Sequence, residues 1–307
     1  MSEVIFTALE VGLIYSLVAL ALYISYSILN IADLSTDGCY TLGCAVGITV
    51  TLAGHPVLAI FLAMLSGVAS GFVTAFLQTR LKIESILAGI IVNTGLYTVN
   101  LAIMGFSSNL SVFGTDTVFS LAKNLLGENV RFKLVVIFII AAVAAGAVIW
   151  FLGTRLGLSV RATGDNPDMV RASSINPAFT TTVGLCISGS LTALAGCLIG
   201  QYNKFADINL GVGMVTIALA SLLIGRAIFG KRSVPVSVIG VIVGSCIYRG
   251  IISLALTVNI STEYFKLVSA VIVAVSIAVP KLKPGIALAK AKRAAKAARG
   301  NGGDDNA

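Results

Sequence analysis

The stretch NIADLSTDGCYTLGCAVGITV, residues 30–50, sets Asp33, Ser35, Thr36, Asp37 and Gly38 between two long apolar runs. None of the five suits a lipid-facing position, because polar groups and unpaired backbone find no hydrogen-bond partner in hydrocarbon. The chain therefore either interrupts a membrane helix here, beside a cavity or within protein, or forms a loop between helices. A second stretch, KFADINLGVGMVTIALASLLIG at residues 204–225, repeats the order: an apolar residue, Ala, Asp and an aliphatic residue, then a glycine, then a run of small and apolar residues. Gly43, Ala45 and Gly47 follow the first break, and Ala218, Ala220 and Ser221 the second. Residues this small also suit close helix packing.

Composition supports a membrane setting. Of 307 residues, 57% are hydrophobic and 11% charged, about half the charged fraction of an ordinary soluble domain. Nine runs approach the roughly 20 residues that a spanning helix needs: 5–29, 39–54, 56–77, 86–105, 133–153, 179–200, 211–230, 235–256 and 265–280. Basic residues gather at Arg80 and Lys82, at Arg155, Arg161 and Arg171, at Lys231 and Arg232, and from Lys281 to Arg299. The positive-inside rule places these segments in the cytoplasm, which gives an outer N-terminus and an inner C-terminus. The net charge of +8 is explained by these loops and points to no nucleic acid. On this topology the two similar stretches lie at opposite ends of their helices, as an inverted repeat requires. The expected fold is all-α: an integral, polytopic helical bundle of about 8–10 transmembrane helices with an inverted-topology repeat and interrupted helices.

Residues 1–280 form the expected membrane domain, with a cytoplasmic loop at about 154–178, and residues 281–307 a basic cytoplasmic tail that touches anionic lipid. The N-terminus lacks a basic leader and a small-residue cleavage site, so no cleaved signal peptide is expected. Cys39, Cys44, Cys186, Cys197 and Cys246 all sit in apolar runs without a CxxC pair and read as small packing residues.

Polar groups inside the runs mark a candidate pathway. Asn93, Tyr97 and Asn100 follow i, i+4, i+7 spacing and share one helix face with Thr94 beside it. That face either lines a path or hydrogen-bonds a neighbouring helix. With Asp33, Ser35, Thr36, Asp37 and Ser221 these residues make up the candidate translocation set. Arg249 is the deepest cation, either functional or paired with a carboxylate such as Glu10. GRAIFGKRS at 225–233 nearly spells a phosphate-binding loop, but Arg232 replaces the hydroxyl that would hold Mg²⁺, and a membrane helix precedes it. His55 has no evident catalytic or metal partner. No catalytic or metal site is expected in the chain.

The polar loop RATGDNPDMVRASSIN, residues 161–176, carries the start signals of a helix: Asn166 as cap, Pro167 at the first position, Asp168 at the positive dipole end. Gly164, Asp165, Asn166 and Pro167 are expected to turn the chain into a short surface helix, with Met169, Val170 and Ala172 offering apolar contacts. The pattern R-A-x-G-D-N-P-x-x-x-R-A-x-x-I-N resembles the cytoplasmic coupling loop of bacterial ABC importer permeases of the branched-chain amino acid and sugar type. Together with DLSTDGCYTLGCA (33–45) and LAGIIVNTGLYTVNLAIMGFSSNLS (87–111), it is similar to tryptophan/tyrosine importer permeases over most of residues 1–280.

The resemblance implies a multi-pass permease of the bacterial cytoplasmic membrane, working as a homodimer. It implies that Arg161, Gly164, Asp165, Asn166, Pro167, Met169 and Arg171 engage a separate ATPase, which holds ATP and Mg²⁺, and that an extracytoplasmic lipoprotein delivers an amino acid or similar small solute. Cys39 and Cys44 stand where that family leads one to expect Ser and Ala. A gradient-driven transporter would share the repeat and the interrupted helices, with Asp33, Asp37 and Glu10 as candidate ion ligands. A non-transporting scaffold would leave the capped loop unexplained.

Overall fold

A computed structural model describes residues 2–126, 132–230 and 233–257, with isolated helical positions between 267 and 274. Its helices follow the apolar runs: α1 (Ser2–Leu22) continued by a π-helical turn (Tyr23–Ile28), α2 (Thr36–Leu52), α3 (Pro56–Thr79), α4 (Ser85–Ile103), α5 (Val118–Leu126), α6 (Phe132–Gly153), α7 (Arg155–Asp165), α8 (Pro167–Ala172), α9 (Pro177–Asn203), α10 (Met214–Phe229) and α11 (Val234–Thr257). Six of them, α1 with its π turn, α3, α4, α6, α9 and α11, are long and apolar enough to cross a membrane. The run at 265–280 and the tail at 281–307 lie largely or wholly outside the described residues.

Two units share one plan. A long helix, a short irregular segment and a short helix follow one another at Ser2–Leu52 and again at Pro177–Phe229; α2 has 17 residues and α10 has 16. At about 1.5 Å per residue a helix of that length spans less than a bilayer core. Each short helix therefore starts within the bundle and not at its surface.

Small residues let the central helices touch backbone to backbone. A β-carbon at Gly67 would overlap the Gly189 carbonyl, one at Gly43 the Ala193 carbonyl, and one at Gly225 the Gly240 carbonyl, which sets the α3–α9, α2–α9 and α10–α11 seams. Water cannot drive helices together inside lipid, so close van der Waals contact of this kind holds the bundle. α1 and α9 are the most buried spans, and α4 and α6 the least. Ile14, Leu17, Val18, Leu20 and Ile24 of α1 form the middle of the largest apolar cluster. Trp150, Val143, Phe61 and Leu65 remain exposed, as a lipid-facing surface requires. Cys39, Cys44 and Cys197 are buried free thiols.

The two ends of α1 carry different cavities. Leu29, Lys82, Thr163 and Arg171 line one cavity at one end. Glu3, Glu10, Lys133 and Tyr202 line another at the opposite end of α1, where the Tyr202 hydroxyl donates to Glu10 at 2.8 Å. Arg249 stands over the Tyr15 ring, 5.6 Å from its centroid. On the side of Glu10, strand β1 (Asn109–Ser111) pairs antiparallel with β2 (Phe205–Asp207), Leu110 opposite Ala206.

Candidate functional site

The two short helices begin against each other. Asp37, in the first turn of α2, accepts the backbone N–H of Gly213 on Oδ2 and that of Val215 on Oδ1, both at 2.9 Å. These are donors at the start of α10, which helical geometry leaves without partners. The N-terminus of α10 carries partial positive charge, so the carboxylate is stabilised there as well as bonded. Thr41, one turn along α2, accepts the Gly211 N–H at 3.2 Å. A β-carbon at Gly211 would overlap the Asp37 carbonyl, so the second break lies directly on the first.

Beside this junction is a cavity of about 350 Å³ walled by Asp37, Gly38 and Thr41 of α2, by Asn93, Thr94, Tyr97 and Asn100 of α4, and by Ile208, Asn209 and Val212 of the second break. The polar face of α4 thus looks into a space. Asn100 is buried and donates its amide to the Gly38 carbonyl at 3.1 Å. That bond fixes the side chain, and its Oδ1 is left buried without a partner. A β-carbon at Gly38 would meet Asn93 Oδ1, so α4 seats an amide directly on the α2 backbone. Tyr97 is 52% exposed. Lining the cavity are one carboxylate, three amide side chains and several hydroxyls, with no Lys, Arg or His among the described residues. It can hold a small polar solute by hydrogen bonds.

The other candidate pathway residues lie elsewhere. Asp33 is buried and accepts both the backbone N–H and the hydroxyl of Ser35 on one oxygen, at 2.9 and 2.6 Å. Thr74 of α3 donates to that serine at 3.2 Å, and Thr36 donates to the Asp33 carbonyl at 3.1 Å. These three residues build a closed turn that fixes the break against α3. Ser221 is fully buried, donates to the Ile217 carbonyl, and lies with its own carbonyl against Gly244 of α11. Thr41 and Asn209 line the cavity without having stood out in sequence. Both signals were present: Thr41 lies four residues after Asp37, on the same helix face, and Asn209 falls inside the second copy of the repeat.

At the basic end, the loop holds two helices where sequence indicates one. Thr154 caps α7 by accepting the Gly157 N–H at 3.2 Å. Gly164 and Asp165 are the last residues of α7 and not part of the turn, which falls at Asn166 alone. Asn166 accepts the N–H groups of Asp168 and Met169, both at 3.1 Å, and Pro167 occupies the first position of α8. Asp168 and Arg171 form an exposed pair at 3.4 Å. Met169 and Ala172 face outward with Arg161, whereas Val170 is buried against the protein. Gly164 has a packing duty, since a β-carbon there would overlap the Ile28 carbonyl at the end of the π turn.

The family described as "Branched-chain amino acid transport system / permease component" matches residues 4–277. A tyrosine transport system permease protein of Clostridioides difficile is 34% identical over 94% of this chain and 95% of its own. A galactose/methyl galactoside import permease protein of Haemophilus influenzae is 30% identical over 59% of this chain and 51% of its own, and a ribose import permease protein of the same organism 28% over 68% and 61%. No solved structure matches the chain. With that match across nearly the whole bundle, the chain is a multi-pass membrane protein belonging to the ABC-type permease family of branched-chain amino acid and sugar transport systems.

Proposed function

We propose that the chain is the membrane-spanning subunit of an importer that moves an aromatic or branched-chain amino acid into the cytoplasm, driven by ATP hydrolysis on a separate subunit. The observation that carries this reading is the polar cavity where two interrupted helices meet, since irregular backbone is tolerated at membrane depth where it lines a path. The two long-helix, break, short-helix units are read as an inverted repeat about this junction. α8, capped and exposed, is the coupling helix that docks on the ATPase, with Met169 as its apolar contact. A substrate-binding lipoprotein delivers the solute from the other side. The outward-facing Thr94 and Tyr97 of α4 leave the cavity open on one side, which a second copy of the chain closes in a homodimer.

An amino acid is favoured over a sugar because the likeness to the tyrosine permease runs along almost the entire chain, whereas the sugar permeases match about half to two thirds of it. A gradient-driven mechanism is less well supported. Its coupling ion would need acceptor groups, and both Asp37 oxygens hold backbone donors, one Asp33 oxygen holds two donors in a closed turn, and Glu10 holds the Tyr202 hydroxyl. The test is uptake into vesicles that contain the permease, its ATPase and its binding lipoprotein, with labelled tyrosine, leucine and ribose. ATP-dependent uptake of an amino acid is expected. Uptake of ribose alone, or uptake driven by an ion gradient without ATP, would overturn the proposal.

A further inference from the structure

A cavity at the basic end, about 580 Å³, has no part in the pathway described above. It lies between the α3–α4 turn, α8 and the start of α9, and its wall includes Gln78, Lys82, Arg171 and Thr181. Among the described residues its lining holds two cations and no carboxylate; Asp33, Glu84 and Asp165 each lie within two residues of a lining residue, and the exposed Asp168 pairs with Arg171 at 3.4 Å. Gln78 Nε2 is buried and has no acceptor. A buried donor without a partner costs roughly 1–3 kcal/mol, so this cavity is short of an acceptor. Lys82 adds a second sign. Its φ is 54°, in the left-handed region where glycine follows a helix end at no steric cost and a lysine does not. The position keeps a charged side chain against the backbone preference.

A second cavity adjoins the first and shares Thr79 and Ala178 with it. It has a volume of about 530 Å³, and Phe72 and Phe76 of α3 and Phe179 of α9 form its apolar wall, with Arg80 at the same end as Lys82. The three rings are 54%, 45% and 54% exposed. Polar donors and cations at the membrane surface, continuous with an aromatic groove running into the membrane, match one kind of molecule: a phosphate headgroup with an acyl chain.

We infer that an anionic phospholipid of the cytoplasmic leaflet binds here, its phosphate between Lys82, Arg171 and Gln78 and an acyl chain along Phe72, Phe76 and Phe179. The headgroup then bridges the α3–α4 turn to α8, so lipid composition is sensed at the helix proposed to meet the ATPase. The site itself stands on the membrane fold and does not depend on the transport reading.

The test follows the unfolding temperature of the purified full-length chain in dodecyl maltoside, titrated with dioleoylphosphatidylglycerol, dioleoylphosphatidylcholine or sodium phosphate. Saturable stabilisation by phosphatidylglycerol is expected, well ahead of the zwitterionic lipid and of free phosphate. Each cation near an anionic surface contributes about fivefold in affinity, so Lys82→Gly and Arg171→Gln together should weaken it on the order of thirtyfold. Lys82→Gly relieves the left-handed backbone and keeps the chain folded, so that variant alone decides if the double variant does not fold. Phe76→Ala should weaken the lipid effect and leave any effect of sodium phosphate unchanged. Equal stabilisation by both lipids, or undiminished phosphatidylglycerol affinity in Lys82→Gly, overturns the proposal. Sodium phosphate matching phosphatidylglycerol would make this a free-anion site and overturn the lipid assignment.

Discussion

Replacing Asn166 by leucine isolates the role of α8. The side chain is exposed and holds two N–H groups, those of Asp168 and Met169, so the change removes a cap without touching the membrane packing. Loss of an N-cap costs roughly 0.5–2 kcal/mol. α8 has only six residues, too few to form without its cap and its contact through Val170, because helix nucleation is costly. That range of energy corresponds to about a two- to thirtyfold fall in the equilibrium constant for ordering α8. If ordered α8 is what engages the ATPase, transport per ATP hydrolysed falls with the ordered fraction, by at most that factor. The assay is uptake and substrate-stimulated hydrolysis in vesicles holding permease, ATPase and binding protein, with the unfolding temperature of the permease as control. Asn166→Asp retains an N-cap acceptor and should restore coupling. Unchanged coupling in Asn166→Leu would refute the docking role of α8.

Other substitutions test the junction and the packing. Asp37→Ala leaves the N–H groups of Gly213 and Val215 to water in the cavity, a cost at the low end of about 1–3 kcal/mol for each, and uptake should fall while the protein still inserts and purifies. Thr94→Cys, in a background without the native cysteines, should react with small water-soluble thiol reagents, and Thr36→Cys and Ser221→Cys should not; equal reactivity at all three would remove the cavity from the pathway. Gly164→Val should lower the unfolding temperature, because overpacking against the Ile28 carbonyl costs on the order of 1–3 kcal/mol, whereas Arg171→Lys should leave it within error, its partner being an exposed Asp168.

Eight of the nine apolar runs coincide with helices to within a few residues, because lipid demands an unbroken apolar surface and leaves that demand in the sequence. The Asn93, Tyr97, Asn100 face was legible for a related reason: a 3.6-residue period survives when polar groups point at a cavity. α7 was not, since Arg155–Asp165 is short and mixed in character and its only clear signal is the Thr154 cap. The meeting of Asp37 with residues 211–215 joins positions more than 170 apart, and no local pattern encodes it. Thr36 and Ser221 are both buried, Thr36 bonded back to the Asp33 carbonyl and Ser221 lying with its carbonyl against Gly244 of α11, which local folding and the seams decide and spacing along one helix does not.

The small β1–β2 ladder ties the segment after α4 to the second break. β2 runs directly into Ile208 and Asn209 of the cavity wall, and the ladder continues past its pairs through Val112 N–H to the Lys204 carbonyl at 2.9 Å and Ile208 N–H to the Ser108 carbonyl at 3.0 Å. Its other strand is flanked by Phe106 and Phe113, 75% and 81% exposed at the surface. The two exposed rings are thus joined through a short run of backbone hydrogen bonds to the strand that leads into the cavity wall. A partner bound to those rings would reach Asn209 through the ladder alone, with no contact to the membrane-spanning helices.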